Sequence, residues 1–560
     1  LTLGALLALT VVPFGVSAAR LATARHAFQP FADEAAIELQ TRAVGAHRVL
    51  LGPYSRFGFK HPGPALYYVL AVPYRLLGSG SNGILFGALL INAAAAVGLV
   101  LVGWRRGGFA LATVVCGATL LLMRSLGGTV LRDPWNPYVT VLPFALTLLL
   151  AWAVAVGDAP MLPVLLGTAT FVVQSHLGYA IPVAAALAVA VAGLVTHVSA
   201  ARRNEDVRSP RWRVVLVSSA AVVAVMWLPV LGDELVGQRN VTRIVKYFTS
   251  HSGSLSWADA SRVVALQSSW RPEWLTHPAR LAPFGVVPSG RFEWPLLLVL
   301  ALVVTIVAVV RRERSVVWMA ATVGAGLAAG VVAVHGVVGL LAPYIVRWTW
   351  ALGMALGVLT VWGGIKLLER TTGRAVRRAA AAVAVIAVVS LSGAATAGAF
   401  RASTPDADRQ QALRSLSRQL VAHVPRDRDI YLVSANDVGG WTMWGLLVQL
   451  VHRGYHVRTS PRSSYELGRW WTTSRPDGRT HLVVVVKTPD ELRMPALPEG
   501  RVVARWSRPY TAREQRHARR VAADVQRTRP AGDPGVATVV NAANAVATLP
   551  RDAVVVVETG

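Results

Sequence analysis

The sequence predicts an α-helical polytopic membrane protein of about 11 transmembrane helices, followed by a C-terminal extracytoplasmic α/β domain. Three observations predict it. Of the 560 residues, 54% are hydrophobic and only 15% are charged, against roughly one quarter charged in soluble proteins. The apolar residues come in blocks near the ~20 residues that cross a bilayer. The basic segments between blocks fall consistently on one side. Runs such as Val299–Val310 show no alternation, which excludes a porin-like barrel.

The spans are read near residues 2–19, 83–103, 109–127, 138–156, 160–176, 179–198, 214–231, 293–310, 316–341, 346–367 and 379–400. The first block, Leu1–Ala19, has no basic leading region and no convincing cleavage site, so it reads as a retained span. With this assignment Arg105-Arg106, Arg202 to Arg213, Arg311-Arg312-Arg314 and Arg370 to Arg378 share one face. By the positive-inside rule that face, with the N-terminus, is cytoplasmic. The loops near 20–82 and 232–292, Arg132-Asp133 and Gln174–His176 then face outward. Ala65–Leu77 is apolar and aromatic but short, and contains Pro73 and Arg75. Counting it as a span would invert every later loop, so it reads as an interfacial helix.

Residues 1–400 form the expected transmembrane domain and 401–560 the α/β domain. In the latter, short β-rich runs at Ile430–Ser434, His456–Thr459, His481–Lys487, Val502–Trp506 and Val554–Glu558 are separated by helical stretches at Thr442–Arg453 and Ala512–Arg527. Strand, helix and strand within thirty residues indicate a βαβ unit. No internal repeat is evident.

The net charge of +27 is accounted for by cytoplasmic loops and anionic headgroups, so no nucleic-acid partner is expected. The single cysteine, Cys116, lies in an apolar block and excludes an intrachain disulfide or cysteine metal cluster. Gly78-Ser79-Gly80-Ser81-Asn82-Gly83 matches G-x-G-x-x-G in form, but no strand precedes it and a span follows. It is a turn. Gly326 and Gly330 have helix-packing spacing. There is no Walker loop, H-E-x-x-H or G-x-S-x-G, which removes the case for an ATP-driven pump or a serine hydrolase.

Ionisable groups held beside a bilayer mark substrate paths and reactive sites more often than packing. Asp33-Glu34 opens the amphipathic stretch Ala32–Val44, where both could simply cap a helix and complement its dipole. Placed directly after a span, either carboxylate could instead deprotonate an acceptor hydroxyl. Glu38, four residues before Arg42, reads as a surface partner. Arg56, Lys60 and His61 lie in a turn framed by Gly58 and Pro62-Gly63-Pro64. They either snorkel to headgroups or hold an anionic leaving group. Arg132 and Asp133 lie in a third outward turn, with Trp135. Gln174, His176 and Tyr179 cluster at another helix end, and Tyr344, Arg347, Trp348 and Trp350 open a late span. The 232–292 loop carries Arg239, Arg243, Lys246, Trp257, Trp270, Glu273 and Trp274, a set that suits either carbohydrate or an interfacial lid.

This pattern resembles the membrane-embedded GT-C glycosyltransferases, in particular the branch of protein O-mannosyltransferases and lipid A aminoarabinose transferases. The likeness rests on Asp33-Glu34 as the acidic motif of the first outward loop, and on Lys60-His61-Pro62 with Ala65–Leu77 as the juxtamembrane entry. The resemblance implies a sugar moved from a polyprenyl-phosphate donor to a cell-envelope glycan, lipid or protein acceptor, at the outer face of a bacterial plasma membrane. It implies Asp33 and Glu34 as catalytic groups and Lys60-His61 at the entry; with them, the outward cations Arg56, Lys60, His61, Arg132 and Arg347 are expected around the donor phosphate. Asp133, Gln174, His176, Tyr179 and Trp270 are expected around the substrates. No cofactor is required, and two adjacent carboxylates are too few ligands to argue for a divalent metal. Two readings from other classes are a flippase for a lipid-linked or anionic solute and a non-catalytic envelope-assembly protein. A flippase would place polar groups in mid-span, whereas here they gather at the span ends.

Overall fold

The computed structural model describes residues 2–201, 211–253, 255–276, 294–339, 341–369, 371–404, 407–424, 426, 429–434, 437–474, 481–487, 499–508, 511–528, 540 and 552–559. Most of the expected basic loop from Arg202, and Arg370, lie outside them, as does the end of the 232–292 loop. Two compact units are present. The first comprises Leu1–Arg25 and Val44–Ser403, the second His26–Ala43 and Thr404–Gly560.

Helices form where the sequence supplies apolar blocks, because a chain crossing hydrocarbon must satisfy its own backbone polar groups. Among the described residues of the first unit, eight helices are long and apolar enough to cross a membrane: Leu3–Ala22, Asn82–Leu126, Asn136–Ala155, Leu177–Ala200, Trp212–Val236, Arg314–His335, Pro343–Leu368 and Arg374–Arg401. Ala159–Ser175 and Leu296–Val310 are shorter apolar helices. The 45-residue element Asn82–Leu126 is broken at Gly107 and Gly108, the latter at φ 57°. A Cβ on Gly103 would lie 3.2 Å from Cα of Ala112. Nine residues of straight helix would separate those positions by ~13 Å, so the element folds back as two antiparallel spans. The polytopic helical fold expected from the sequence is the one observed. The span expected to run to residue 341 ends earlier, with helix Arg314–His335.

Asn136–Ala155 is apolar on every side and wholly buried, the central helix of the bundle. Small residues let its neighbours close: Cβ atoms on Gly326 and Gly330 would meet Leu352 at 2.9 and 3.1 Å. Ala65–Leu76 is a 12-residue helix, ~18 Å long and too short to span. Leu66, Tyr67, Leu70 and Tyr74 are buried, while Tyr68, Val72 and Leu76 expose an apolar stripe.

The second unit holds a five-stranded sheet: β1 (Ile430–Ser434), β2 (Val457–Thr459), β3 (His481–Lys487), β4 (Arg501–Arg508) and β5 (Asp552–Thr559), in the order β2-β1-β3-β5-β4. β1 is parallel to β2 and β3, whereas β5 is antiparallel to β3 and β4. The helix Asp437–His452 is the crossover between β1 and β2. Val554 to Val557 are buried consecutively, as in a strand covered on both faces. Ala407–His423 adds a helix the sequence reading passed over. The first-loop helix Ala32–Ala43 packs in this unit on Asp437–His452. Glu38, expected at the surface beside Arg42, is buried, and its Oε1 lies 2.8 Å from His452 Nε2.

Candidate functional site

In the first unit, residues 52–61 close into a short antiparallel turn. The Gly52 N–H donates to His61 O (3.1 Å), His61 N–H to Pro53 O (2.8 Å) and Ser55 N–H to Phe59 O (3.2 Å). Gly58 turns the chain at φ 79°, a conformation that favours glycine. Gly52 also admits close backbone approach: a Cβ there would lie 2.6 Å from Gly63 O and 2.8 Å from Gln174 O.

The turn is clamped from outside by Asn240. Its Oδ1 accepts from the Lys60 N–H and its Nδ2 donates to Lys60 O, both at 2.9 Å. Asn240 is itself held, because its N–H donates to Asp233 Oδ2 (2.9 Å) at the end of Trp212–Val236. Phe57 and Phe59 pack on Tyr247 of the following helix, with ring centroids 5.5 and 5.1 Å apart. Lys60 and His61 are thereby buried on a fixed backbone.

His61 meets His176, ring centroids 4.7 Å apart. The Leu177 N–H donates to His61 Nδ1 (3.1 Å) and the Gly178 N–H to His176 Nδ1 (3.2 Å). Since each Nδ1 accepts, each neutral ring carries its proton on Nε2. Burial, and secondarily the proximity of His176, holds His61 well below the ordinary histidine range. Burial pushes His176 down to about 4. The pair is thus neutral at neutral pH, two N–H donors rather than two cations. Gln174 lies beneath, its Nε2 donating to Met226 O (2.7 Å).

From His176 the contacts continue through aromatic rings. Tyr179 is edge-on to His176 at 5.6 Å and lies 6.1 Å from Trp348. The preceding residue, Arg347, is 6% exposed, with its guanidinium 4.2 Å over Trp350. The Trp350 Nε1–H donates to Glu273 Oε2 (2.9 Å). Tyr138 lies among Arg347, Asp133 and Tyr344, and Trp135 meets Tyr138 edge-on and Tyr344 at a tilt. Among the described residues no carboxylate lies within ion-pair distance of Arg347 and its Nε has no hydrogen-bond partner. The guanidinium faces the Tyr138 hydroxyl and lies in the field of the Glu273 carboxylate.

The structure brings together Lys60, His61, Gln174, His176 and Tyr179, and continues from Tyr179 to Arg347 and Asp133. Others lie elsewhere. Arg56 is exposed, its guanidinium 4.8 Å over Phe57 and its Nη2 donating to Val338 O (3.5 Å). Arg132 is buried and donates to Ala402 O (2.8 Å), closing the end of Arg374–Arg401. Burial, and secondarily Arg20, lowers its pKa. Trp270 is exposed under the Arg271 guanidinium. Asp33 and Glu34 are half-buried in the first turn of Ala32–Ala43, in the second unit. Asn240, Asp233 and Tyr138 were not singled out from sequence. The only signal for the first two was their position beside the end of a span.

No family model matches the chain, and no curated protein matches it in sequence. Solved structures do match. ArnT from Cupriavidus metallidurans, in a crystal structure bound to undecaprenyl phosphate, superposes with a TM-score of 0.50 at 15% identity, over 87% of this chain and 93% of that one. Its apo state gives 0.50 at 14% identity over the same shares. The chain has the GT-C fold. The resemblance read from residues 30–80 therefore extends, as architecture, over most of the polypeptide. At this identity the GT-C fold is what the likeness carries, and the chemistry has to come from the side chains.

Proposed function

We propose that this protein is a membrane glycosyltransferase that moves a sugar from a polyprenyl-phosphate donor to a cell-envelope hydroxyl on the outer face of a bacterial plasma membrane, with inversion. The observation that carries the reading is Arg347: a buried guanidinium beside Tyr138, with no carboxylate at ion-pair distance among the described residues, linked through Trp348 and Tyr179 to the His61–His176 pair. The undecaprenyl phosphate bound by ArnT supports a donor of that class.

In this reading Asp33, assisted by Glu34, takes the proton of the acceptor hydroxyl. The acceptor oxygen bonds to the anomeric carbon as the bond from that carbon to the phosphate oxygen breaks. The electron pair leaves with polyprenyl phosphate. Arg347 and Lys60 stabilise the departing phosphate, and the Nε2–H groups of His61 and His176 donate to it without adding charge.

Mass spectrometry of lipid and glycan fractions from cells carrying wild-type or Asp33→Asn protein tests this. The wild type should convert a polyprenyl-phosphate sugar into a glycosylated product. Asp33→Asn should lose about 10²- to 10⁴-fold in turnover while the purified protein still binds donor. Normal product formation by the Asn variant would sink the proposal.

A further inference from the structure

The helix Ala32–Ala43 carries the acidic pair, yet its partners lie in the chain segment that follows the last span. It packs on Asp437–His452. Glu38, 1% exposed, meets His452 Nε2 at 2.8 Å. The Gln40 Nε2–H donates to Glu466 O at 3.1 Å. Just before the helix, Pro30 O sits where a Cβ on Gly445 would lie 2.7 Å away, and the Arg409 guanidinium stacks 4.6 Å from the Phe31 ring centroid. Every residue from Ala35 to Thr41 is buried, leaving only the first turn and Arg42 partly open.

At about 3.6 residues per turn, Glu38 lies one turn below Glu34 and Gln40 two turns below Asp33 on nearly the same stripe. The two side chains bonded to the C-terminal segment thus fix the rotation of the helix that presents the acidic pair. A short polar helix of this composition would not hold its conformation alone.

We propose that the C-terminal α/β unit is the mount of the acidic pair, with Glu38, Gln40 and His452 as positioning residues that set the angle at which Asp33 and Glu34 meet the acceptor. This rests on the acidic-pair reading above. It assigns the C-terminal unit a share in turnover rather than in donor capture.

The test uses full-length protein in proteoliposomes with a polyprenyl-phosphate sugar donor, comparing Gln40→Ala, His452→Leu, His452→Gln and Asp33→Asn. Gln40→Ala removes one hydrogen bond and is chosen to keep the fold. Misplacing a reactive group by ~1 Å costs up to about 100-fold, so Gln40→Ala and His452→Leu should lower kcat by about 10- to 100-fold with donor KM within about twofold. His452→Gln, which can still donate to Glu38, should recover most of the loss. Folded Gln40→Ala protein with wild-type kcat overturns the proposal, as does a loss that appears in donor KM instead. Active Asp33→Asn protein overturns the acidic-pair reading and this inference together. Inactive Asp33→Asn beside fully active Gln40→Ala and His452→Leu overturns the mount alone.

Discussion

The two ends of the helix bundle both carry buried charge but use it differently. At one end Asp158, 3% exposed, grips Arg105 through a two-point contact of 2.6 and 2.9 Å, with Arg106 3.9 Å away. Arg311 there donates to Leu367 O. These cations have acceptors within the protein, and Arg105 is half open to solvent. At the other end the Arg347 guanidinium is shut in among rings, without a carboxylate at ion-pair distance among the described residues. The first end is complete in itself. The second holds a buried guanidinium beside Tyr138 and two neutral histidine rings, with no ion pair to them among the described residues.

The largest effect should follow from breaking the backbone closure that builds the second end. Gly52→Ala drives a Cβ into three carbonyl oxygens, those of Gly63, Gln174 and His61, at 2.6 to 3.0 Å. Backbone cannot step aside as a flexible side chain does, so the cost should reach about 3 kcal/mol or more, with donor binding lost. Gly117→Ala, whose Cβ would meet only Val388 at 3.6 Å, is the control. Thermal melting in detergent reads both, and an unshifted Gly52→Ala melt would contradict the tight packing.

Next, paired substitutions set the two ends directly against each other. Arg347→Gln should lower kcat/KM for transfer by about 100-fold or more, the scale of one lost charge-stabilising contact in a desolvated site. Arg105→Gln leaves Asp158 its contact with Arg106 and should change transfer by less than about twofold. Equal losses at both ends would erase the distinction drawn between them.

Sequence reading reached the spans because a bilayer imposes ~20-residue apolar blocks and a side for arginine. It separated 83–103 from 109–127, and the break does fall at Gly107 and Gly108. The strand runs were equally legible from β-branched composition. Single site residues such as His61, His176 and Arg347 stood out as ionisable groups at span ends, but no local pattern reveals that the two histidine rings meet across 115 positions of chain. Glu38 was misread for the same reason. Its i,i+4 spacing to Arg42 is a local signal, whereas the partner it uses, His452, is visible only in the folded unit. Asn240 escaped notice because an asparagine that hydrogen-bonds another segment's backbone leaves no spacing signature.

Asn240 gives the next prediction in size. Asn240→Ala removes both hydrogen bonds to the buried Lys60 backbone, leaving a donor and an acceptor unsatisfied at about 1–3 kcal/mol. If Lys60 acts on the donor phosphate, about a tenfold fall in donor affinity should accompany the loss. Asn240→Asp can still accept from the Lys60 N–H and should recover part of it. Unchanged donor binding in Asn240→Ala would detach the clamp from function.

The smallest effect concerns protons, and its sign follows from the histidine pair. Both rings titrate below the ordinary range of 6.5, His176 at about 4. Between those limits the unfolded chain binds protons that the native pair refuses. Their stabilising contribution is therefore whole above about pH 6.5 and is lost as pH falls toward 4. Each histidine contributes at most about 1.4 kcal/mol per pH unit, so lowering the pH from 6.5 to about 5.5 should cost about 1 kcal/mol through His176. Melting curves across that interval read it directly. His176→Gln, which cannot titrate, should flatten the dependence. A wild-type melting midpoint that does not move over this range would mean the pair already accepts a proton, and the second end would then carry a third positive charge like those of the arginine end.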